Sequence, residues 1–127
     1  MAYPSDRKYT KEHEWVRLEG KRARVGITEF AQKQLGDIVF VEMPKVGFEL
    51  EAGDPFGTVE SVKAVTEVYA PATGKVVAVN ETVSHSPEEI NMDAHDTWVI
   101  EIELSRAKEL DALLTAAQYE AYIADEG

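Results

Sequence analysis

The feature that most constrains this chain is the shortness of its apolar runs. Between His13 and Leu104, the Val, Ile, Leu and aromatic residues come in brief stretches, each ended by a glycine, a proline or a polar turn pair. A short β-prone run bounded by turn residues reads as a strand. A succession of such runs favours an all-β core over a parallel α/β sheet, whose crossovers need long connections. The pattern predicts strands over residues 13–18, 23–27, 38–43, 56–62, 66–69, 75–79 and 98–104. Glu19-Gly20 closes the first, and Pro44, with no N–H for a ladder, ends the third. Gly47, Gly53, Gly57 and Gly74 fall between or at the edges of these runs, where turns or close backbone approach are needed.

Three helical pieces interrupt the strands. Thr28 can cap a short helix carrying Phe30, Ala31 and Leu35, with Gly36 as its stop signal. Ser86-Pro87-Glu88-Glu89 reads as a second helix start, with a capping Ser and Pro at the first helical position. Leu110, Leu113 and Leu114 make one apolar stripe, and Thr115-Ala116-Ala117-Gln118 offers a capping box that opens a segment with Tyr119, Tyr122 and Ile123. The expected layout is a single domain over residues 1–127. Its β core spans about 9–104, its C-terminal helices about 105–123 cover one end of that core, and residues 124–127 fray. A faint self-similarity links the stretch before Lys63 to the stretch after Gly74.

Thirteen Lys and Arg stand against twenty-four Asp and Glu, a formal net charge of −11. Such a surface repels phosphate backbones and anionic lipid, so neither nucleic acid nor membrane is an expected partner. Proteins with basic rims around their clefts would be steered toward it. No apolar run approaches the roughly 20 residues of a membrane-spanning helix, and the start of the chain lacks the apolar core of a signal peptide. The sequence reads as cytoplasmic, or as a mature form already processed, such as a mitochondrial matrix protein. With no cysteine, disulfides, Cys-based zinc sites and thiol catalysis are excluded.

The stretch that carries chemistry runs Gly53-Asp54-Pro55-Phe56-Gly57-Thr58-Val59-Glu60-Ser61-Val62-Lys63-Ala64-Val65-Thr66-Glu67 and on through Val68-Tyr69-Ala70-Pro71-Ala72-Thr73-Gly74. Two β-prone runs meet at a tip where a lysine stands between Val62 and Ala64. If the strands pair across it, the Lys63 ammonium projects into solvent from the apex of a stiff hairpin. That placement suits an amine to be recognised and acylated by another enzyme. A lone lysine is ordinarily just a surface lysine; the residues around this one change the reading.

Those residues resemble the lipoyl-attachment motif, in which an acidic residue lies three positions before the modified lysine and Ala follows it: Glu60-Ser61-Val62-Lys63-Ala64 here. Biotin carriers usually bracket the lysine with methionines, and Val62 and Ala64 speak against them. Tyr9-Thr10-Lys11-Glu12-His13-Glu14-Trp15-Val16 resembles the N-terminal signature of the glycine cleavage H-protein family. Gly26-Ile27-Thr28-Glu29-Phe30-Ala31-Gln32 and Leu35-Gly36-Asp37-Ile38-Val39-Phe40-Val41-Glu42-Met43-Pro44 are similar to its next two segments. The resemblance runs from about Tyr9 to Tyr122. Generic lipoyl domains lack the His-Glu-Trp opening and the C-terminal helices. The chain departs from the family at Ile90-Asn91-Met92-Asp93-Ala94-His95-Asp96-Thr97-Trp98. There it keeps Asn91 and Trp98 but loses a Pro, a Tyr, a Gly and one residue of length, which predicts a different loop conformation.

The resemblance implies a mainly β, lipoyl-domain-like fold, a barrel–sandwich hybrid with short peripheral helices and a C-terminal helical segment. It implies lipoic acid joined to Lys63 as an amide by a lipoate-attaching enzyme, with Glu60, Ser61, Val62 and Ala64 as the recognition motif. It implies a non-catalytic carrier that serves three enzymes. The arm would take the aminomethyl group of glycine from the PLP-dependent glycine decarboxylase (P protein). It would deliver that group to the tetrahydrofolate-dependent aminomethyltransferase (T protein), and be reoxidised by dihydrolipoamide dehydrogenase (L protein). Glu14 and Glu67 match acidic positions credited with holding the free amine of the loaded arm; Glu67 stands where an aspartate is common. Without that role, both are solvated carboxylates on a strand surface.

Two other roles compete. The same lysine on the same hairpin would serve a relay that donates lipoyl or octanoyl groups to other complexes. An unmodified β domain used only for protein binding would be indifferent to Lys63→Arg. Histidines dispersed at 13, 85 and 95 make no metal or acid–base site, and His13 reads as a packing or surface residue beside Trp15. No nucleophile motif, phosphate-binding glycine loop or paired catalytic carboxylates stand out.

Overall fold

The computed structural model describes residues 3–126. Nine strands form in chain order: β1 (Lys8–Tyr9), β2 (Glu14–Glu19), β3 (Arg22–Ile27), β4 (Ile38–Glu42), β5 (Glu49–Leu50), β6 (Pro55–Ser61), β7 (Val65–Tyr69), β8 (Gly74–Val79) and β9 (Ile100–Leu104). Four α-helices join them: α1 (Glu29–Leu35), α2 (Glu81–His85), α3 (Glu89–Met92) and α4 (Ala116–Glu126), with a 3-10 turn at Ala107–Ala112. Every strand pair is antiparallel. One sheet has six strands in the order β1-β2-β3-β9-β8-β5, and the other has three, β4-β6-β7. Two antiparallel sheets facing each other, with short helices around them, make the expected mainly β barrel–sandwich.

The core forms because alternate residues of both sheets point inward. Val16, Val25, Ile38, Val41, Val59, Val68, Val76, Ile100 and Ile102 are all buried in one cluster, each contributing about 1.5–3 kcal/mol. Gly57 lets β6 approach β4, since a Cβ there would collide with the Glu42 carbonyl oxygen. A second, aromatic cluster sits at one end, where Tyr9, Trp15 and Tyr119 are buried with Ala116. Tyr9 stacks on Tyr119 with ring centroids 4.9 Å apart. The chain's two ends also meet through a backbone bridge, Tyr9 N–H to Leu114 O and Leu114 N–H to Tyr9 O, both at 2.8 Å.

The predicted strands form, within two residues at each end, while the two-residue β1 and β5 were not expected. The Thr28 cap is realised: its hydroxyl accepts from Ala31 N–H, and Gly36 takes φ +80° beyond the last turn. The Thr115 capping box closes reciprocally, Gln118 N–H to Thr115 Oγ1 at 3.2 Å and Thr115 N–H to Gln118 Oε1 at 2.9 Å. Three expectations fail. Ser86 does not cap the helix that follows; its N–H donates to Thr82 O and ends α2, a helix capped by Asn80. The Leu110–Leu113–Leu114 stripe is not an α-helix, because the 3-10 turn stops at Ala112 and Leu114 pairs with Tyr9 instead. Residues 124–126 continue α4 rather than fraying, and Gly127 lies outside the described residues. No helix among the described residues is long and apolar enough to cross a membrane.

Candidate functional site

Next to its tip the β6–β7 hairpin sets Val59 opposite Thr66 and Glu60 opposite Val65, and farther back its register shifts between Pro55 and Gly57. Its tip is clamped by Ser61. The Ser61 N–H donates to Ala64 O at 2.8 Å, while Ser61 Oγ accepts from the N–H groups of Lys63 (3.3 Å) and Ala64 (3.1 Å). A buried hydroxyl that accepts from two turn amides gives those N–H groups a partner and fixes the turn. Lys63 is exposed at this apex, flanked by exposed Val62 and Val65. Its stem passes over Gly36, where an added Cβ would sit 3.5 Å from Lys63 Cε. The sequence motif is thus assembled at one tip, with Glu60 on the strand behind it.

Beside the tip opens a cleft of about 420 Å³, whose walls come from the 12–14 turn, α1 and β7. Ile27, Phe30, Leu35 and Val68 make its apolar side, and Glu14 and Glu67 both line it. The two carboxylates differ sharply. Glu14 is only 2% exposed and accepts from the Thr10 hydroxyl at 2.6 Å and the Tyr69 N–H at 3.1 Å. Burial pushes its carboxyl up to about 7, and those two hydrogen bonds pull the other way without prevailing. It is therefore not the solvated surface carboxylate that a strand position allowed. Glu67 is exposed and accepts from the Tyr69 hydroxyl at 3.2 Å. That bond and the carboxylate's charge raise the Tyr69 hydroxyl above its usual range.

His13 occupies the left-handed region at φ 74°. Its ring packs on Phe30 and Tyr122 rather than on Trp15, and its Nδ1 lies 2.8 Å from the Tyr119 hydroxyl. That hydroxyl is also 2.7 Å from Thr28 Oγ1, so α4 ties together two walls of the cleft. Sequence reasoning did not select His13, Phe30 or Gln34 as cleft residues. Only the packing of α1 against the 12–14 turn brings them together, although the Thr28 cap gave a partial signal. Among the described residues no cluster of His, Asp and Glu could hold a metal ion.

The site thus sets an exposed lysine on a clamped hairpin next to a cleft lined by the buried Glu14 and the exposed Glu67 carboxylates. The chain matches the glycine cleavage H-protein family over residues 7–126. The chain belongs to that family. It is 56% identical to the glycine cleavage system H protein of Acidobacterium capsulatum over 126 residues, 99% of this chain and 98% of that relative. It is 55% identical to the H protein of Bacillus subtilis over 121 residues, covering 94% and 95% of the two. The crystal structure of the glycine cleavage system H protein from Mycobacterium marinum superposes with a TM-score of 0.89 at 37% identity, covering 96% of this chain and 99% of that one. Members of the H-protein family are carrier components of the glycine cleavage system and are not themselves catalysts, which fits the arrangement of this site.

Proposed function

We propose that Lys63 is the point at which a lipoyl group is attached, and that the adjacent cleft shelters the far end of the arm. The observation that carries this reading is the pairing of an exposed, clamped Lys63 with a cleft starting at Ala64 and Val65. The residues fit such a group: the tip leaves the amine accessible, and the cleft combines apolar walls with a carboxylate at depth. The lipoyl group supplies a dithiolane able to take up a one-carbon fragment and two electrons. The protein supplies the rest. Ser61 fixes the direction in which Lys63 points, and Glu60, Val62 and Ala64 form the surface an attaching enzyme touches. Glu14 and Glu67 offer carboxylates to a cationic amine, and such a cation would favour the ionised form of Glu14. Tethering raises the local concentration of the carried group at each partner site.

The partners of this reading are the P, T and L proteins together with a lipoate-attaching enzyme, acting in the cytoplasm, with the whole chain serving as one carrier unit. Intact-mass measurement with peptide mapping on protein from its native host tests it. A gain of one lipoyl group on Lys63 is expected, with loss of glycine cleavage on Lys63→Arg. An unmodified Lys63 in cells whose other lipoyl proteins are loaded refutes it.

A further inference from the structure

The Lys63 turn is held from outside as well as from within. The N–H of Val62, one residue before the lysine, donates to Asp37 O at 3.1 Å. Asp37 lies in the junction between α1 and β4, next to Gly36, over which the Lys63 stem runs. That junction has no regular structure of its own, and Gly36 adopts a conformation costly to most other residues. One side chain fixes it. Asn91, on α3, accepts from Ile38 N–H through Oδ1 at 2.9 Å and donates through Nδ2 to Gly36 O at 2.8 Å. A second Nδ2 bond goes to Gln32 Oε1 at 2.8 Å. The amide's orientation is unambiguous, because Ile38 N–H can only donate and Gly36 O can only accept. Asn91 thus brackets Asp37 on both sides and leaves its carbonyl facing Val62.

We infer that Asn91 is a positioning residue for the modification of Lys63: it holds the 36–38 junction so that Asp37 O can brace the turn. This inference rests on the proposed role of Lys63. A bare lysine side chain is short, so an enzyme that acylates it must recognise the tip at close range. A tip that samples several orientations presents the competent one only part of the time. The apparent affinity then falls by that fraction while turnover at saturation is kept. Replacing Asn91 by Ala removes all three bonds. Asn91→Asp keeps an acceptor for Ile38 N–H but sets carboxylate oxygens against Gly36 O and Gln32 Oε1.

The test uses the full-length chain, a lipoate–protein ligase, lipoate and ATP, and follows the mass of Lys63 peptides. In Asn91→Ala the KM for the carrier is expected to rise about fivefold or more with kcat within about twofold. Asn91→Asp should not restore the wild-type KM. Amide exchange at Val62 should quicken while Val25 and Val76 stay protected. Ile102→Val, a mild core defect remote from the tip, controls for general loosening and should leave KM unchanged. The inference is overturned if folded Asn91→Ala and Asn91→Asp are acylated with the wild-type KM, or if Ile102→Val raises KM equally. Failure of wild-type Lys63 to be acylated is a different result, and sinks the attachment reading itself.

Discussion

At the scale of single residues, Glu14 and His95 give the protein opposed responses to pH. The Glu14 carboxyl sits at about 7, above its ordinary 4.5. The native state therefore takes up its proton first, and the stability linked to this group is complete below pH 4.5 and lost as pH rises through about 7. A displacement of that size corresponds to about 3 kcal/mol. His95 behaves in the opposite sense. Its Nε2 accepts from Glu29 N–H at 3.2 Å, at the start of α1, and burial, with Arg7 nearby, lowers the ring below its usual 6.5. Its contribution is complete above pH 6.5 and declines as pH falls below it. Glu14→Gln is expected to raise the thermal midpoint at pH 8, where the wild type carries a buried charge, and to flatten the profile between about pH 5 and 7. In that variant the decline set by His95 should stand alone; calorimetry across pH shows it directly. Ser61→Ala removes the acceptor of the Lys63 and Ala64 amides and is expected to cost about 1 kcal/mol in urea unfolding. The exchange of those two amides should also quicken. None of the His95 contacts was legible in the sequence, because its partners Glu29 and Arg7 are distant along the chain and the residue types match no motif. The place of Lys63 at an exposed hairpin apex was legible, since adjacent positions make the turn.

At the scale of elements, what could be read from the sequence divides by the range of the interaction that stabilises each piece. Helix α1 and the opening of α4 were legible because Thr28, Gly36, Thr115 and Gln118 act within a few residues. Thr115→Ala should therefore destabilise the protein by about 1 kcal/mol, seen as earlier loss of near-ultraviolet signal from the tyrosine and tryptophan cluster. Helix α2 was missed although Asn80 caps it with a bond to Thr82 N–H at 3.1 Å. An Asn after a strand reads equally well as a turn. The Ser86 signal misled for the same reason: its position suits either the end of one helix or the start of the next. Strands β1 and β5 are too short to show a period, and exist because β2 and β8 offer them edges. The bulge between Ile38 and Phe40 was also invisible. It turns the neighbouring apolar residues Val39 and Phe40 both half outward, where simple alternation would have buried one.

At the scale of the whole molecule, charge and topology set behaviours that no single contact explains. With a net charge of −11, self-repulsion opposes the compact state. Raising ionic strength from about 0.02 to about 0.5 M should increase the urea midpoint of the isolated protein. The same change should slow its association with partners whose mouths are basic. Topology sets a different limit. The centre of the larger sheet is the pairing of β3 with β9, which places Val25 against Ile100, and the Tyr9–Leu114 bridge spans nearly the full length of the chain. Contacts so distant in sequence are slow to close. During synthesis the Lys63 hairpin emerges before β9, so for a time the nascent chain displays the tip without the strand that completes its larger sheet. A tip presented at that stage has no completed sheet behind it, and gains one only when β9 pairs with β3 and β8.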